Sequence, residues 1–582
     1  MSETPSSSDA ARLGKNLLDR LGRTGKDGKR FSIPNFGGGI FGRYLGLKLT
    51  SPYQVALLAG LSGLSGSGVL VVLTSSLQSG EDSGPTLGYG LAFVALILMY
   101  RWLQLTLLRT TSEAVESALD SMRSRNAQKI VQLDLYEFED IPNERLQSSM
   151  VRHFEVISES TVGILGGLQS TILLTLVLIY LATVSLVAAV MSVVVLGIAV
   201  QAYFLSRTQM QSQMKAAAEA ETSLLGSLHS VMYGFKELRL DSTKRSEVVR
   251  ELQGHSSVAA TQRTLKQALF GRLMVFSNTL AFLLGGAVVF VVPALLGADY
   301  HEDVARVVTI VLFLIGPLSA VVAASQHVST ARFAINSLLA FEAELDALLS
   351  TREVAAANAP AFESLSFDGV SFEHRARGAE MPFAVGPIDF HVKRGEIVFI
   401  TGGNGSGKTT FLRLLTGLYP AAQGTLSLNG AELEPTQEAL ESYRHVFNAV
   451  FADVFVFRKP YGMNTDQLDR LAGWLQILKI RDKLPDNLSD GYDASFLSTG
   501  QRKRLALAIA LSEDRDVLVL DEWAADQDPE FRSFFYDMLL PEMGQKGKTI
   551  IAVTHDDRFF GLADRRYHMD EGRIREIRDE TS

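Results

Sequence analysis

The chain has 582 residues, more than one hydrophobic core organises, so two or more domains are expected. A net charge of −9 and a pI near 5.7 argue against nucleic acid as the partner. Cysteine is absent, which excludes disulfides, thiolate metal sites and cysteine catalysis.

Residues 1–50 form a polar, basic segment with nine Lys/Arg against four acids. No apolar h-region accompanies it, so no cleaved signal peptide is expected. Beyond it the composition changes. The mean hydropathy of +0.15 is concentrated in the N-terminal half. Charge is missing from Leu49 to Gly80, Ser83 to Tyr100, Ser160 to Ser206, Leu273 to Ala298 and Val307 to Ala331, counting His327 as neutral. A membrane-crossing helix needs roughly 20 mostly apolar residues. The Ser160–Ser206 tract holds two crossings with a turn near Ala182–Ser185, giving six spans.

The loops set orientation. Glu81 and Asp82 follow the first span, and Asp299, His301, Glu302 and Asp303 follow the fifth. Lys/Arg-bearing segments, Arg109–Arg152 and Arg207–Arg272, lie on the other side. The positive-inside rule therefore places both termini in the cytoplasm. The two long segments read as helical continuations of the spans. Arg101, within the second tract, is either a functional intramembrane charge or one that snorkels to the headgroups. Gln169, Tyr180, Asn278, Ser319 and Gln326 either line a cavity or bond helix to helix. Gly316-Pro317 should bend the sixth span.

The membrane part is expected over 51–345 and an Ala-rich linker with Asn358 and Pro360 over 346–364. Residues 365–582 alternate strand-like and helical pieces, an α/β pattern. The strand-like pieces are Ser364–Phe372, Glu396–Thr401, Val517–Leu520 and Thr549–Val553.

Within that domain, Gly402-Gly403-Asn404-Gly405-Ser406-Gly407-Lys408-Thr409 is a phosphate-binding loop, G-x-x-x-x-G-K-[ST], between a strand and a helix. Its glycines let backbone N–H groups face phosphate oxygens, and the helix that runs through Thr410 adds its positive end. Lys408 would reach the β- and γ-phosphates of ATP. Thr409 would ligate Mg²⁺. Val517-Leu518-Val519-Leu520-Asp521-Glu522 is an apolar strand ending in two acids. Asp521 would hold Mg²⁺ through water. Strand alternation aims Glu522 elsewhere, to polarise a water for attack on the γ-phosphate.

Leu497-Ser498-Thr499-Gly500-Gln501, shortly before that strand, resembles the LSGGQ signature of ABC ATPases. The chain therefore resembles an ABC half-transporter of the exporter type, and the fold implied is a six-helix transmembrane domain followed by an α/β P-loop nucleotide-binding domain. The resemblance implies a homodimer closing head-to-tail on two ATP, with Ser498, Thr499, Gly500 and Gln501 facing the γ-phosphate held by the other copy's Lys408. His555 takes the switch-histidine position, and Asp528 the end of the loop linking the two sites. Two positions depart from the family. Ala452 stands where a glutamine belongs, so Asp453 or a water substitutes. His374 stands where an adenine-stacking aromatic belongs, with Phe372 as the alternative.

Leu497 to Ala506, which includes Lys503 and Arg504, Asp521 to Pro529, which includes Trp523 and Asp526 to Asp528, Thr554-His555-Asp556-Asp557-Arg558-Phe559-Phe560, the glutamine-less loop and Gly316-Pro317 resemble the cyclic-peptide and siderophore exporter branch, that of pyoverdine-, syringomycin- and lasso-peptide-type exporters. The implied activity is ATP-driven export of a peptide-like natural product across the bacterial inner membrane. The alternatives are a lipid flippase, a multidrug exporter, or a siderophore importer of exporter shape. Short coupling helices are expected at Asp140–Leu146, started by Pro142, and at Gly234–Arg239.

Overall fold

The computed structural model describes residues 52–78, 87–291, 304–349, 360–374 and 383–577. The basic segment 1–50, the acids at 81–82 and 299–303, and linker residues 351–359 lie outside the described residues. The chain divides into two compact units. One takes Met1–Ala127 and Asn143–Glu342; the other takes Gln128–Pro142 and Ala343–Ser582.

The described residues of the first unit form helices and no strand. It contains α1 (Pro52–Gln78) and the larger part of α2 (Leu87–Val131). The short helices α3 (Leu135–Glu139) and α4 (Asn143–Gln147) come next, and α3 belongs to the second unit. Then follow α5 (His153–Val184), α6 (Leu186–Tyr233), the short α7 (Phe235–Leu240), α8 (Ser242–Gly286) and the greater part of α9 (Val304–Leu349). Six of these segments are long and apolar enough to cross a membrane. Helix α2 continues unbroken through Arg101, and α9 continues through Pro317. The turn between the third and fourth spans falls at Ser185, whose side chain caps α6 by accepting from the Ala188 N–H.

Small residues bring the spans together. A Cβ added to Gly163 would lie 2.2 Å from the His327 ring, and one on Gly167 would lie 2.0 Å from the Ala324 Cβ. This four-residue spacing lets α5 seat directly on α9. The polar side chains mostly serve the same end. Gln169 donates to Ser62, Ser319 donates to Asn278 at 2.6 Å, and the Tyr180 hydroxyl joins Thr74 and Arg306 at 2.8 Å each. Large apolar side chains such as Leu91, Leu98, Val190 and Phe282 are exposed, as lipid-facing positions must be.

The second unit carries two sheets. Strands β1 (Ser364–Glu373), β2 (Ala384–Lys393), β4 (Gln423–Leu428) and β5 (Ala431–Glu432) form an antiparallel sheet in the order β2-β1-β4-β5. The other sheet has the order β10-β9-β3-β8-β7-β6. Its strands are β3 (Ile397–Gly402), β6 (Phe447–Val450), β7 (Val517–Asp521), β8 (Thr549–Val553), β9 (Arg565–Asp570) and β10 (Arg573–Ile577). All its pairings are parallel except β9–β10. Strands β3, β7 and β8 are buried along their whole length, which is why they read as unbroken apolar runs. Around the sheets lie α10 (Lys408–Leu415), α11 (Gln437–Arg444), α12 (Thr465–Ile477), α13 (Thr499–Glu513) and α14 (Pro529–Phe534).

Two short helices meet at the first expected coupling stretch. Its expected range, Asp140–Leu146, takes in Pro142 and most of α4, which begins directly after that proline, while α3 lies just upstream as part of the second unit. Leu135 and Tyr136 pack against the cluster that includes Phe372 and Tyr419. Arg444 donates to Asp134 at 2.7 Å, and Tyr419 and Arg413 both donate to Glu139, at 2.6 and 3.1 Å. The second short helix, Phe235–Leu240, lies within one residue of its expected place.

Candidate nucleotide site

Parallel pairing of β3, β8 and β7 brings the chemistry together. Beyond β3 the phosphate loop turns tightly. Gly407 has φ +102°, and a Cβ on Gly402 would lie 2.2 Å from the Met569 carbonyl oxygen. Only glycine tolerates both demands. Lys408 heads α10 and is buried; its Nζ donates to the Gly402 and Gly403 carbonyls at 3.1 and 2.9 Å and stands 3.8 Å from Glu522 Oε1. Ser406 Oγ is buried with no hydrogen-bond partner, as expected of a group lining an anion cradle.

At the end of β7, Asp521 is 1% exposed and accepts from Thr409 Oγ1 at 3.0 Å. Its Oδ1 has no hydrogen-bond partner. Burial pushes its pKa above the ordinary carboxylate value, and the Glu522 charge adds to this; Thr409, the Ala452 backbone N–H and Lys408 oppose it. A buried carboxylate with an unused oxygen beside a threonine hydroxyl fits a hard divalent cation.

Glu522 departs from strand geometry, with φ +47° and ψ 37°. That left-handed backbone turns its carboxylate towards Lys408 and to His555 Nε2, 3.1 Å away. Lys408, Thr409, Asp521, Glu522 and His555 thus share one locus.

The remaining expected residues are placed as follows. Ser498 caps α13, exchanging bonds with Gln501 in a capping box, and Thr499 is the first helical residue. Gly500 is sterically required, since a Cβ there would lie 2.6 Å from the Asp526 carbonyl oxygen. Asp528 caps α14 through the Phe531 N–H, the main reason its pKa lies below the ordinary value, and it pairs with Arg504 at 2.6 Å. Asn404 and Gly405 are exposed on the loop, and Thr410 is half-buried. The exposed Asp453 faces Arg413 at 3.9 Å.

Phe372 does not serve as an open stacking face. It is buried, stacked on Tyr419 at 4.7 Å, with the edge of Tyr136 at 5.3 Å. His374 is half-buried beside it. Burial lowers the His374 pKa; Glu139 raises it and Arg413 lowers it further. Sequence reasoning gave no individual role to Tyr419, Arg413, Lys503 or Arg504, whose contacts come from tertiary neighbours.

A phosphate loop, a strand-end acid pair and a helix opening on Ser498 define an ATPase. The same chain carries six membrane-crossing-length helices, so its class is an ATPase coupled to transmembrane transport. The family model for ABC transporters matches residues 385–525. The ATP-binding protein SyrD of Pseudomonas syringae pv. syringae is 31% identical over 449 residues, 75% of this chain and 76% of that protein. An ATP-dependent lipid A-core flippase of Ralstonia nicotianae is 32% identical over 224 residues, 36% of this chain and 37% of its own length. The fold is shared with a bacterial Atm1-family ABC exporter solved with ATP bound, at TM-score 0.73 and 17% identity over 90% of this chain and 94% of that one. The chain belongs to the ABC transporter family.

Proposed function

We propose that this chain is one half of a homodimeric exporter in the bacterial inner membrane, with both termini cytoplasmic, that moves a peptide-like natural product outward. The convergence of Lys408, Thr409, Asp521, Glu522 and His555 carries the reading. Lys408 and the loop N–H groups bind the ATP phosphates. Thr409 and Asp521 would hold Mg²⁺, which neutralises charge on the phosphate oxygens. Glu522 polarises the attacking water, and His555 fixes its carboxylate. His374 flanks the adenine. Ser498 to Gln501 and the Asp528 loop meet the other copy, so each ATP is sandwiched between chains. Of the two candidates to replace the missing glutamine, Asp453 is engaged by Arg413, which favours a water held near the Ala452 backbone.

The peptide-like cargo is supported by the motifs of the cyclic-peptide and siderophore exporter branch and by the likeness to SyrD over three quarters of the chain. Within the first unit a cavity of about 380 Å³ is lined by Thr111, Leu168, Tyr203, Phe204, Ser277, Val321 and other uncharged residues. Such a wall suits apolar side chains or acyl tails of an uncharged face. A lipid flippase is the second reading, supported by the flippase likeness over about a third of the chain.

The test reconstitutes wild type and Glu522→Gln into vesicles and follows phosphate release and movement of candidate peptides. Equal hydrolysis by both sinks the catalytic assignment. Stimulation by lipids and by no peptide sinks the cargo assignment.

A further inference from the structure

We infer that Lys503 is a positioning residue for ATP hydrolysis: its buried ammonium holds the main chain of Glu522 in the left-handed conformation that aims the carboxylate at Lys408 and His555. The inference rests on the water-polarising role proposed for Glu522.

Lys503 lies on α13, one turn beyond the Ser498 cap. Its side chain is 3% exposed, and burying an ammonium demands close partners. It has two. Nζ donates to the Glu522 carbonyl at 2.9 Å and pairs with Asp526 Oδ2 at 2.7 Å. The loop answers with a bond in the other direction: Trp523 Nε1, itself buried, donates to the Lys503 carbonyl at 2.8 Å. Helix and catalytic loop are therefore locked by reciprocal contacts at Glu522 and at the residues just after it, Trp523 and Asp526.

The lock has a purpose that packing alone does not supply. A glutamate at φ +47° is strained and persists only where its surroundings enforce it. The Ala525 N–H also reaches the Glu522 carbonyl, at 3.3 Å, but from within the same turn. Lys503 ties that carbonyl to a separate element. An apolar residue would fill the same space while leaving the carbonyl and Asp526 without the donor. A lysine here exchanges an easy core position for a fixed direction at residue 522.

The test uses the full chain in lipid nanodiscs. It measures kcat and KM for ATP, affinity for a fluorescent ATP analogue, and melting temperature. Lys503→Met is expected to lower kcat roughly tenfold or more at unchanged KM and analogue affinity, a loss confined to the hydrolytic step. Lys503→Gln keeps a donor for the carbonyl and should recover part of the rate. Within a Glu522→Gln background, Lys503→Met should change nothing further. Wild-type kcat in Lys503→Met, equal losses in the Met and Gln variants, or a KM rise that accounts for the loss overturns the inference. If Lys503→Met does not fold, Lys503→Gln and Asp526→Asn decide, since wild-type kcat in both is equally fatal. Wild-type turnover by Glu522→Gln would instead bring down the role of Glu522 itself.

Discussion

His555 Nε2 lies 3.1 Å from Glu522 Oε1, joining the second residue after β8 to the residue after β7. The pair is partly open to solvent, and neither side chain is needed to fill the core. Removing either should therefore leave the fold intact. Glu522→Gln is expected to lower turnover by roughly 10²-fold or more, the range for losing a positioned base, while ATP stays bound. His555→Ala should lower kcat less. Phosphate release and filter-retained nucleotide separate the two effects, and loss of ATP binding in either variant would contradict these roles.

Asp521 predicts an opposition between stability and function. Its pKa is raised in the folded chain, so it contributes stability below its ordinary titration range and loses it as pH rises through the folded value. At neutral pH the buried charge is a burden on the nucleotide-free protein. Asp521→Asn should then raise the melting temperature, by about 2–4 °C if the relief is near 1 kcal/mol, and abolish Mg²⁺-dependent hydrolysis. A lower melting temperature at pH 7 would show that the burial penalty is misjudged.

Gly500→Ala places a Cβ 2.6 Å from the Asp526 carbonyl oxygen. The contact is with backbone, so the loop and not a flexible side chain must move. Turnover is expected to fall roughly tenfold or more, with little change in melting temperature. An unchanged kcat would mean that the loop yields without disturbing Glu522.

Tyr419, beside Phe372 and His374, offers a pH test. Burial, together with its bond to Glu139, raises its pKa from 10.0 to about 12. Its contribution to stability is present below pH 10 and lost as pH climbs towards 12. Tyr419→Phe should flatten the alkaline unfolding curve in that window, read by near-ultraviolet circular dichroism. It should also lower stability near pH 8 by about 1 kcal/mol, the worth of a hydrogen bond. An alkaline curve identical to wild type counts against the buried phenol.

Because the natural chain has no cysteine, introduced pairs report contacts cleanly. Asn404→Cys combined with Ser498→Cys should cross-link between copies in the Glu522→Gln background when ATP is present. Cross-linking that ignores ATP, or that stays within one chain, would oppose the shared-site homodimer.

The sequence disclosed those parts of the molecule governed by local rules. Charge-free runs announced the spans, and Ser185 ended the third where the apolar tract allowed a turn. The phosphate loop, Asp521, Glu522 and His555 were visible because their chemistry fixes both residue type and spacing. Lys503 was not, since a lysine inside a helix ordinarily means a solvated face. Only the approach of Asp526 and the Glu522 carbonyl shows that it is buried. Phe372 misled for a related reason: an aromatic at a strand end suits a stacking platform until Tyr419 and Tyr136 occupy its surroundings. Helix α3 went unforeseen because Pro142 marks the start of α4 and Leu135–Glu139 has no comparable local signal; its place is set by Arg444, Arg413 and Tyr419.

Helix α3 also bears on how the ATPase half is to be made by itself. A recombinant fragment beginning near residue 343 leaves out Gln128–Pro142, although that stretch belongs to the same compact unit. Arg444 would lose Asp134, Arg413 and Tyr419 would lose Glu139, and the aromatic patch under Tyr136 would meet water. Poor solubility of such a fragment would be a fault of where it was cut. A soluble version calls for the fifteen missing residues to be spliced back as a tethered peptide.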